Sequence, residues 1–163
     1  MQERYYTDDK NTLILLSLLK AHGIKKVIAS PGTTNIALVA SMMIDPWFEM
    51  YSSVDERSAC YMACGMASES REPVVLTCTG ATASRNYLPG LTEAYYRNLP
   101  ILAITGSHGE DYIGHLHAQS MDRTQAPKDT VVFSSSVKLK DSEWKATIEI
   151  NKVTNLLFEE TFS

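Results

Sequence analysis

Two runs constrain this chain more than anything else in it: Pro73-Val74-Val75-Leu76-Thr77-Cys78 and Pro100-Ile101-Leu102-Ala103-Ile104-Thr105-Gly106. Neither alternates apolar with polar residues. Successive side chains of a strand point to opposite faces, so a strand apolar at neighbouring positions must be covered on both. Both runs are short and rich in β-branched residues, which favours strand over helix. Helix-like segments separate them. The pattern predicts an α/β fold: three layers, with an open, mostly parallel sheet and helices on both faces.

The remaining segments fit that scheme. Thr7 or Asp8 is expected to cap a helix bearing Leu15, Leu16 and Leu19, which ends at His22-Gly23. Lys26-Val27-Ile28-Ala29 reads as a buried strand stopped by Ser30-Pro31-Gly32. Thr33 or Thr34 is expected to cap the next helix, which runs to about Met43. Phe48 to Ser52 forms a short strand before a helix from Asp55 to about Ser70. A further helix is expected from about Thr82 to Tyr96. Val131-Val132-Phe133 and Ser136-Val137-Lys138-Leu139 suggest an edge strand. An amphipathic helix from about Glu143 to Glu160 carries Ile148, Ile150, Val153, Leu156 and Leu157. No repeat or linker interrupts the sequence, so residues 1–163 read as a single domain.

Composition narrows the partners. A net charge of −4 argues against nucleic acid, which calls for a basic patch. No apolar run approaches the length of a membrane span. Met1-Gln2-Glu3-Arg4-Tyr5-Tyr6 lacks the apolar stretch of a signal peptide, so a cytoplasmic location is expected. Cys60 and Cys64 share a helix face, but no further ligands lie near them. With Cys78 they are read as reduced, buried cysteines, and no metal site is expected within the chain.

Three loops should meet at the carboxyl edge of the sheet: Ser30 to Thr34, Ser53 to Glu56, and Thr79 to Ser84. That is where open α/β folds place their ligands. Each loop follows a strand and opens a helix, so each presents free backbone N–H groups. No phosphate-binding glycine fingerprint is present. Glu56 admits two readings here. Ser53-Val54-Asp55-Glu56 fits S-x-x-E, in which Glu56 would be a capping-box residue reaching back to the Ser53 N–H. Alternatively, it is a functional carboxylate at the ligand edge.

The order of segments resembles one domain. Gly23-Ile24-Lys25-Lys26-Val27-Ile28-Ala29-Ser30-Pro31-Gly32 comes first, and Asp55-Glu56-Arg57-Ser58-Ala59 follows. Pro73 to Gly80 with Asn86, and then Leu99 to Gly106, complete the series. Together these resemble the pyrimidine-binding (PYR) domain of thiamine-diphosphate enzymes, the group of acetolactate synthases, 2-oxo acid decarboxylases and SEPHCHC synthases of the menaquinone pathway. The similarity runs from about Leu13 to Val137. It implies the thiamine-diphosphate-binding fold and a catalytic role for Glu56, which would hydrogen-bond N1′ of the aminopyrimidine and activate the cofactor. The substrate would be a small 2-oxo acid, decarboxylated or joined to an acceptor.

The same resemblance places Pro31, Gly32, Thr79 and Gly80 beside the cofactor, and Thr33 and Gln119 towards the substrate. Pro-Gly also makes an ordinary turn, and Thr79 could be a plain helix cap. No role is given to His108, His115 or His117. SEPHCHC synthases carry Ser-Arg after Pro-Gly and Asp-Arg-Pro after the strand ending at Thr105. Thr33-Thr34 and Gly106-Ser107-His108 stand here instead, so an arginine able to grip a carboxylate is missing from that place. The family binds Mg²⁺ and the diphosphate through a second (PP) domain with Gly-Asp-Gly and a downstream Asn, which this sequence lacks. The expectation is a PP partner domain or subunit, inactivity of this chain alone, and a homodimer through the PYR domain. The small residues of the helix from Asp55 would serve either that seam or packing within the chain. A non-catalytic binding or assembly module with the same fold is the competing reading.

Overall fold

Strands β1 (Lys26–Ala29), β2 (Glu49–Ser52), β3 (Val74–Thr79) and β4 (Ile101–Gly106) form one sheet in the order β2-β1-β3-β4, with every neighbouring pair parallel. The computed structural model describes residues 6–80, 82–108, 112–118, 120 and 126–137. Parallel neighbours cannot be joined by a hairpin, so each connection passes through helix. Helix α1 (Lys10–Ala21) precedes β1. A 3₁₀ turn (Thr33–Asn35) and α2 (Ile36–Ile44) link β1 to β2, and α3 (Glu56–Ser70) carries the chain back past β1 to β3. Helices α4 (Thr82–Arg85) and α5 (Leu88–Tyr96) lead to β4. The winding therefore reverses between β1 and β3, the switch point that opens a crevice at the carboxyl edge.

The strand pattern explains the two cores. Val27, Val75 and Leu102 pack with Leu16, Leu19, Leu38 and Met42 under α1 and α2. Ile28, Val74, Leu76 and Cys78 pack on the other face with Ala59, Cys60, Ala63, Ala67 and Tyr87. Adjacent residues of β1 and β3 thus enter opposite cores, which is why those runs are apolar without alternation.

Local chemistry moved several boundaries. Asp9, not Thr7 or Asp8, caps α1: its carboxylate accepts the Thr12 N–H at 2.8 Å, while Thr7 Oγ1 accepts the Asp9 N–H at 3.1 Å. At its other end Gly23 (φ 72°) donates to Lys20 O and Ile24 to Leu19 O, the paired bonds of a Schellman cap. A single helix from Thr82 to Tyr96 does not form. Pro89 within it would lose a hydrogen bond and clash with the carbonyl of Arg85, so α4 stops at Arg85 and Pro89 falls in the first turn of α5. Among described residues, Val131 to Phe133 and Ser136-Val137 form no strand. Lys138-Leu139 and the helix expected from Glu143 to Glu160 lie outside the described residues. No helix among the described residues is long and apolar enough to cross a membrane.

An ion pair buried on its Asp45 side pins the N-terminal segment. Asp45, 6% exposed, receives hydrogen bonds from Lys20 Nζ and Tyr6 Oη, and its other oxygen accepts the Trp47 N–H at 3.0 Å. Burial alone would raise the Asp45 carboxyl, but these bonds outweigh it and hold it below the ordinary value. A depressed carboxyl adds stability above its unfolded value of about 4, and that stability is lost as pH falls through the folded value. Asp45→Asn should therefore cost about 1–3 kcal/mol near neutrality, since Lys20 loses its counter-charge. The difference from wild type should shrink on acidification below about pH 4. Urea unfolding at several pH values measures both.

Candidate active site at the carboxyl edge of the sheet

The ends of β1, β2 and β3 are tied together by backbone and hydroxyl groups. Ser30 N–H donates to Thr77 O (2.8 Å), Ser30 Oγ donates to Ser53 O (2.7 Å), and Ser53 N–H donates to Ala29 O (3.0 Å). Asn35 is buried behind them. Its Oδ1 accepts the Gly32 N–H at 2.8 Å, and its Nδ2 reaches Ser30 O and Thr77 Oγ1, both at 3.3 Å. A single amide therefore fixes the loop after β1 and couples it to β3.

The loop after β4 joins the same cluster. Thr34 Oγ1 donates to Gly106 O at 2.7 Å, and Gly80 N–H donates to the same carbonyl at 2.5 Å. The backbones touch so closely that a Cβ on Gly106 would lie 2.1 Å from Thr34 O. One on Gly32 would lie 2.3 Å from Thr79 Cγ2, and one on Gly80 would lie 2.9 Å from Gly106 O. Gly32 and Gly80 are therefore explained by loop-to-loop packing before any ligand is considered. The three loops expected at this edge do meet, and Gly106 to His108 is a fourth.

Glu56 is not a capping-box residue. The N-cap of α3 is Asp55, whose carboxylate accepts the Ser58 N–H at 2.8 Å and Ser58 Oγ at 2.6 Å. Those bonds hold the Asp55 carboxyl below its usual range. The Ser53 N–H that a capping box would offer to Glu56 is already given to Ala29 O, because the parallel pairing of β1 and β2 runs on to this residue. Glu56 is instead the first residue of α3 and is half-buried. Its Oε2 receives Asn86 Nδ2 at 3.4 Å, a long bond across the edge. Asn86 lies in the break between α4 and α5, and its neighbour Tyr87 is 1% exposed. Burial, then the nearby Cys78, pushes the Tyr87 phenol far above its ordinary value. It serves as a neutral anchor beneath the Asn86 turn.

The other expected residues differ in exposure. Pro31 and Thr33 are exposed on the β1 loop, and Thr79 is half-buried at the end of β3. Gln119 lies outside the described residues. His108, His115 and His117 are exposed, with His117 stacked on Tyr112 at 4.5 Å between ring centroids. The small residues Ala59, Cys60, Ala63, Cys64 and Ala67 face inward, and the thiols of Cys60 and Cys64 lie against Tyr87 O and Gly90 O. These residues thus serve packing within the chain. The three cysteines are buried and form no disulfide, and no metal-binding cluster occurs among the described residues. Sequence reasoning gave no role to Asn35, Asn86 or Gly106. Asn86 alone carried a signal, since the proline three residues on places it in a helix break.

The family model described as thiamine pyrophosphate enzyme, N-terminal TPP binding domain, matches residues 11–126. The chain is 35% identical over 150 residues to the 2-succinyl-5-enolpyruvyl-6-hydroxy-3-cyclohexene-1-carboxylate (SEPHCHC) synthase of Bacteroides thetaiotaomicron, covering 90% of this chain and 27% of that protein. It is 36% identical over 154 residues to the synthase of the same name from Porphyromonas gingivalis, covering 92% and 27%. Among solved structures, it superposes on a thiamine diphosphate-dependent 4-hydroxybenzoylformate decarboxylase from Rhodococcus jostii RHA1 with a TM-score of 0.72 at 20% identity, covering 88% of this chain and 27% of that one. It also superposes on the benzoylformate decarboxylase of Polynucleobacter necessarius with a TM-score of 0.60 at 20% identity, covering 68% and 20%. The chain therefore spans about a quarter of the length of the relatives it matches. By fold and by family, this chain belongs to the thiamine pyrophosphate enzymes and corresponds to their N-terminal TPP-binding domain.

Proposed function

We propose that this chain is the pyrimidine-binding half of a thiamine-diphosphate-dependent enzyme that acts on a 2-oxo acid, with Glu56 as the proton-sharing group at N1′ of the pyrimidine. One observation carries the reading: helix α3 is capped by Asp55, so Glu56 has no capping duty and stands at the ligand edge, held through Oε2 by Asn86. A carboxyl has a second oxygen to offer a ring nitrogen. The residues present therefore fit the pyrimidine end of the cofactor. Thiamine diphosphate, when bound, supplies an electron sink for the electrons released as a 2-oxo acid loses CO₂.

The chain's own residues divide the remaining work. Glu56 holds and returns a proton at N1′, as general acid–base chemistry requires. Pro31 and Gly32 on one side, and Thr79 and Gly80 on the other, wall the pyrimidine and keep water from it. Thr33 and Gln119 are assigned to the substrate. Mg²⁺ and the diphosphate need hard oxygen ligands, which we assign to a partner domain or subunit bearing Gly-Asp-Gly…Asn. This chain by itself is then inactive. The SEPHCHC synthase relatives make that reaction the first candidate, with Gly106-Ser107-His108 in place of their Asp-Arg-Pro as the point of difference. Three buried cysteines without a disulfide accord with a reducing, cytoplasmic setting.

The test supplies the diphosphate-binding partner, thiamine diphosphate and Mg²⁺ and measures CO₂ release from a panel of 2-oxo acids. Release that requires both proteins is the expected result. Silence with every partner and acid would overturn the enzyme reading in favour of a binding or assembly module.

We assign the homodimer seam to the outer face of α3, where Tyr61, Met62 and Gly65 are exposed, in a two-fold arrangement. A Cβ on Gly65 meets nothing within 4 Å in the single chain. Gly65→Ala should thus stabilise the monomer by about 0.5–1 kcal/mol yet weaken the dimer by crowding its seam. Thermal unfolding with sedimentation separates the two effects. An unaltered dimer would place the seam elsewhere.

A further inference from the structure

We propose that Asn86 is a positioning residue for Glu56, set in place by a ladder of contacts between α3 and residues 86–97. The inference rests on Glu56 being the group that meets the pyrimidine. Glu56, Cys60, Cys64 and Ser68 recur at intervals of four along α3 and so share one side of the helix. Glu56 Oε2 receives Asn86 Nδ2 at 3.4 Å. Cys60 Sγ donates to Tyr87 O at 3.6 Å, and Cys64 Sγ donates to Gly90 O at 3.3 Å. Ser68 Oγ receives Arg97 Nη2 at 3.1 Å. The partners advance along the chain in the same order as the α3 residues, so each contact fixes the register of the next.

Packing makes that register rigid beside Glu56. A Cβ on Gly90 would lie 2.5 Å from Cys60 Sγ and 2.7 Å from Cys60 Cβ, so the two segments meet with no room for a methyl group. Cys60 lies one turn beyond Glu56, Tyr87 adjoins Asn86, and both are buried. The carboxylate and the amide are therefore brought together by the packed pair next to them, not by their own long bond. A carboxylate can only accept, so Asn86 presents its NH₂ to Oε2 and leaves Oε1 for a ring nitrogen. Long contacts of this kind tighten in the loaded complex. Without Asn86 the Glu56 side chain samples several rotamers, and its free oxygen is no longer held in one place.

The test uses the full chain, alone and assembled with a diphosphate-binding partner, thiamine diphosphate and Mg²⁺. In the assembly, Asn86→Ala and the isosteric Asn86→Asp should each lower kcat by about tenfold or more and leave KM for the 2-oxo acid within about twofold. In the chain alone, Glu56→Gln should move the side-chain amide resonances of Asn86, whereas Asp55→Asn should not. Gly90→Ala, which forces Gly90 off Cys60, should abolish that response to Glu56→Gln. Should Gly90→Ala fail to fold, Cys60→Ala, which removes the adjoining contact without crowding, takes its place. Wild-type kcat in both Asn86 variants, with Glu56→Gln inactive, would overturn the inference and spare the reading of Glu56. Wild-type kcat in Glu56→Gln as well, or no turnover by any assembly, would sink both. An Asn86 amide that ignores Glu56→Gln would reject the contact whatever the rates, and an undiminished response in the Gly90→Ala background would reject the ladder.

Discussion

Glu56→Gln will reduce turnover of the assembled enzyme by about 10²–10⁴-fold, the usual contribution of a positioned acid–base group, and leave the fold intact. The amide keeps the size of the side chain and can still face Asn86, whose long bond to Oε2 adds little to stability. It cannot exchange a proton with a ring nitrogen. Because Asp55 caps α3, the stability change should stay within about 0.5 kcal/mol. Asp55→Ala makes the contrast: it should cost about 1 kcal/mol in unfolding free energy through the lost Ser58 bonds, with a much smaller effect on turnover. A Glu56→Gln chain that loses about 1 kcal/mol and keeps full activity would return Glu56 to a capping role. Steady-state rates and chemical unfolding on the same preparations separate these outcomes.

What was legible in the sequence follows physical range. The β3 and β4 runs pointed to the parallel sheet, and β3 is covered on both faces, where burial on both sides leaves its mark residue by residue. In β4, read the same way, Leu102 alone is buried. Pro89 could have been read as a helix break, yet the apolar periodicity across it suggested one helix; steric exclusion at Arg85 outweighs periodicity. The S-x-x-E pattern misplaced the α3 cap by two residues, because whether Ser53 has a free N–H depends on its bond to Ala29, in a different strand. Asn35 and the packing role of Gly106 were missed for the same reason. Their partners lie far along the chain, at Thr77 and Thr34, and a lone Asn or Gly in a loop resembles any other. Glu56 stood out through the order of motifs around it, and the structure removed the local explanation that competed with that order.

Gly106→Ala should be the most damaging small substitution at this edge. Its Cβ would lie 2.1 Å from Thr34 O and 2.5 Å from Thr34 C, which are backbone atoms and cannot swing aside. Relief requires moving the loop after β1, and that loop is locked by Asn35 to Ser30 and Thr77. Overpacking of this kind costs about 3 kcal/mol, or a fall in Tm of roughly 6–12 °C for a domain of this size. A displacement on the order of 1 Å at Pro31 and Gly32 would also lower turnover about 10²-fold. Gly32→Ala tests the same edge against a softer neighbour. Its new methyl meets Thr79 Cγ2, a side-chain atom, so the cost should be smaller, and Thr79→Ser, which deletes that methyl, should largely restore stability in a double-mutant cycle. Thr34→Ser should give Gly106→Ala no comparable rescue, because the clash there is with main chain. If Gly106→Ala proved as mild as Gly32→Ala, the loop after β4 would not be fastened to the loop after β1, and the edge would be a looser platform for Glu56 than its hydrogen bonds imply.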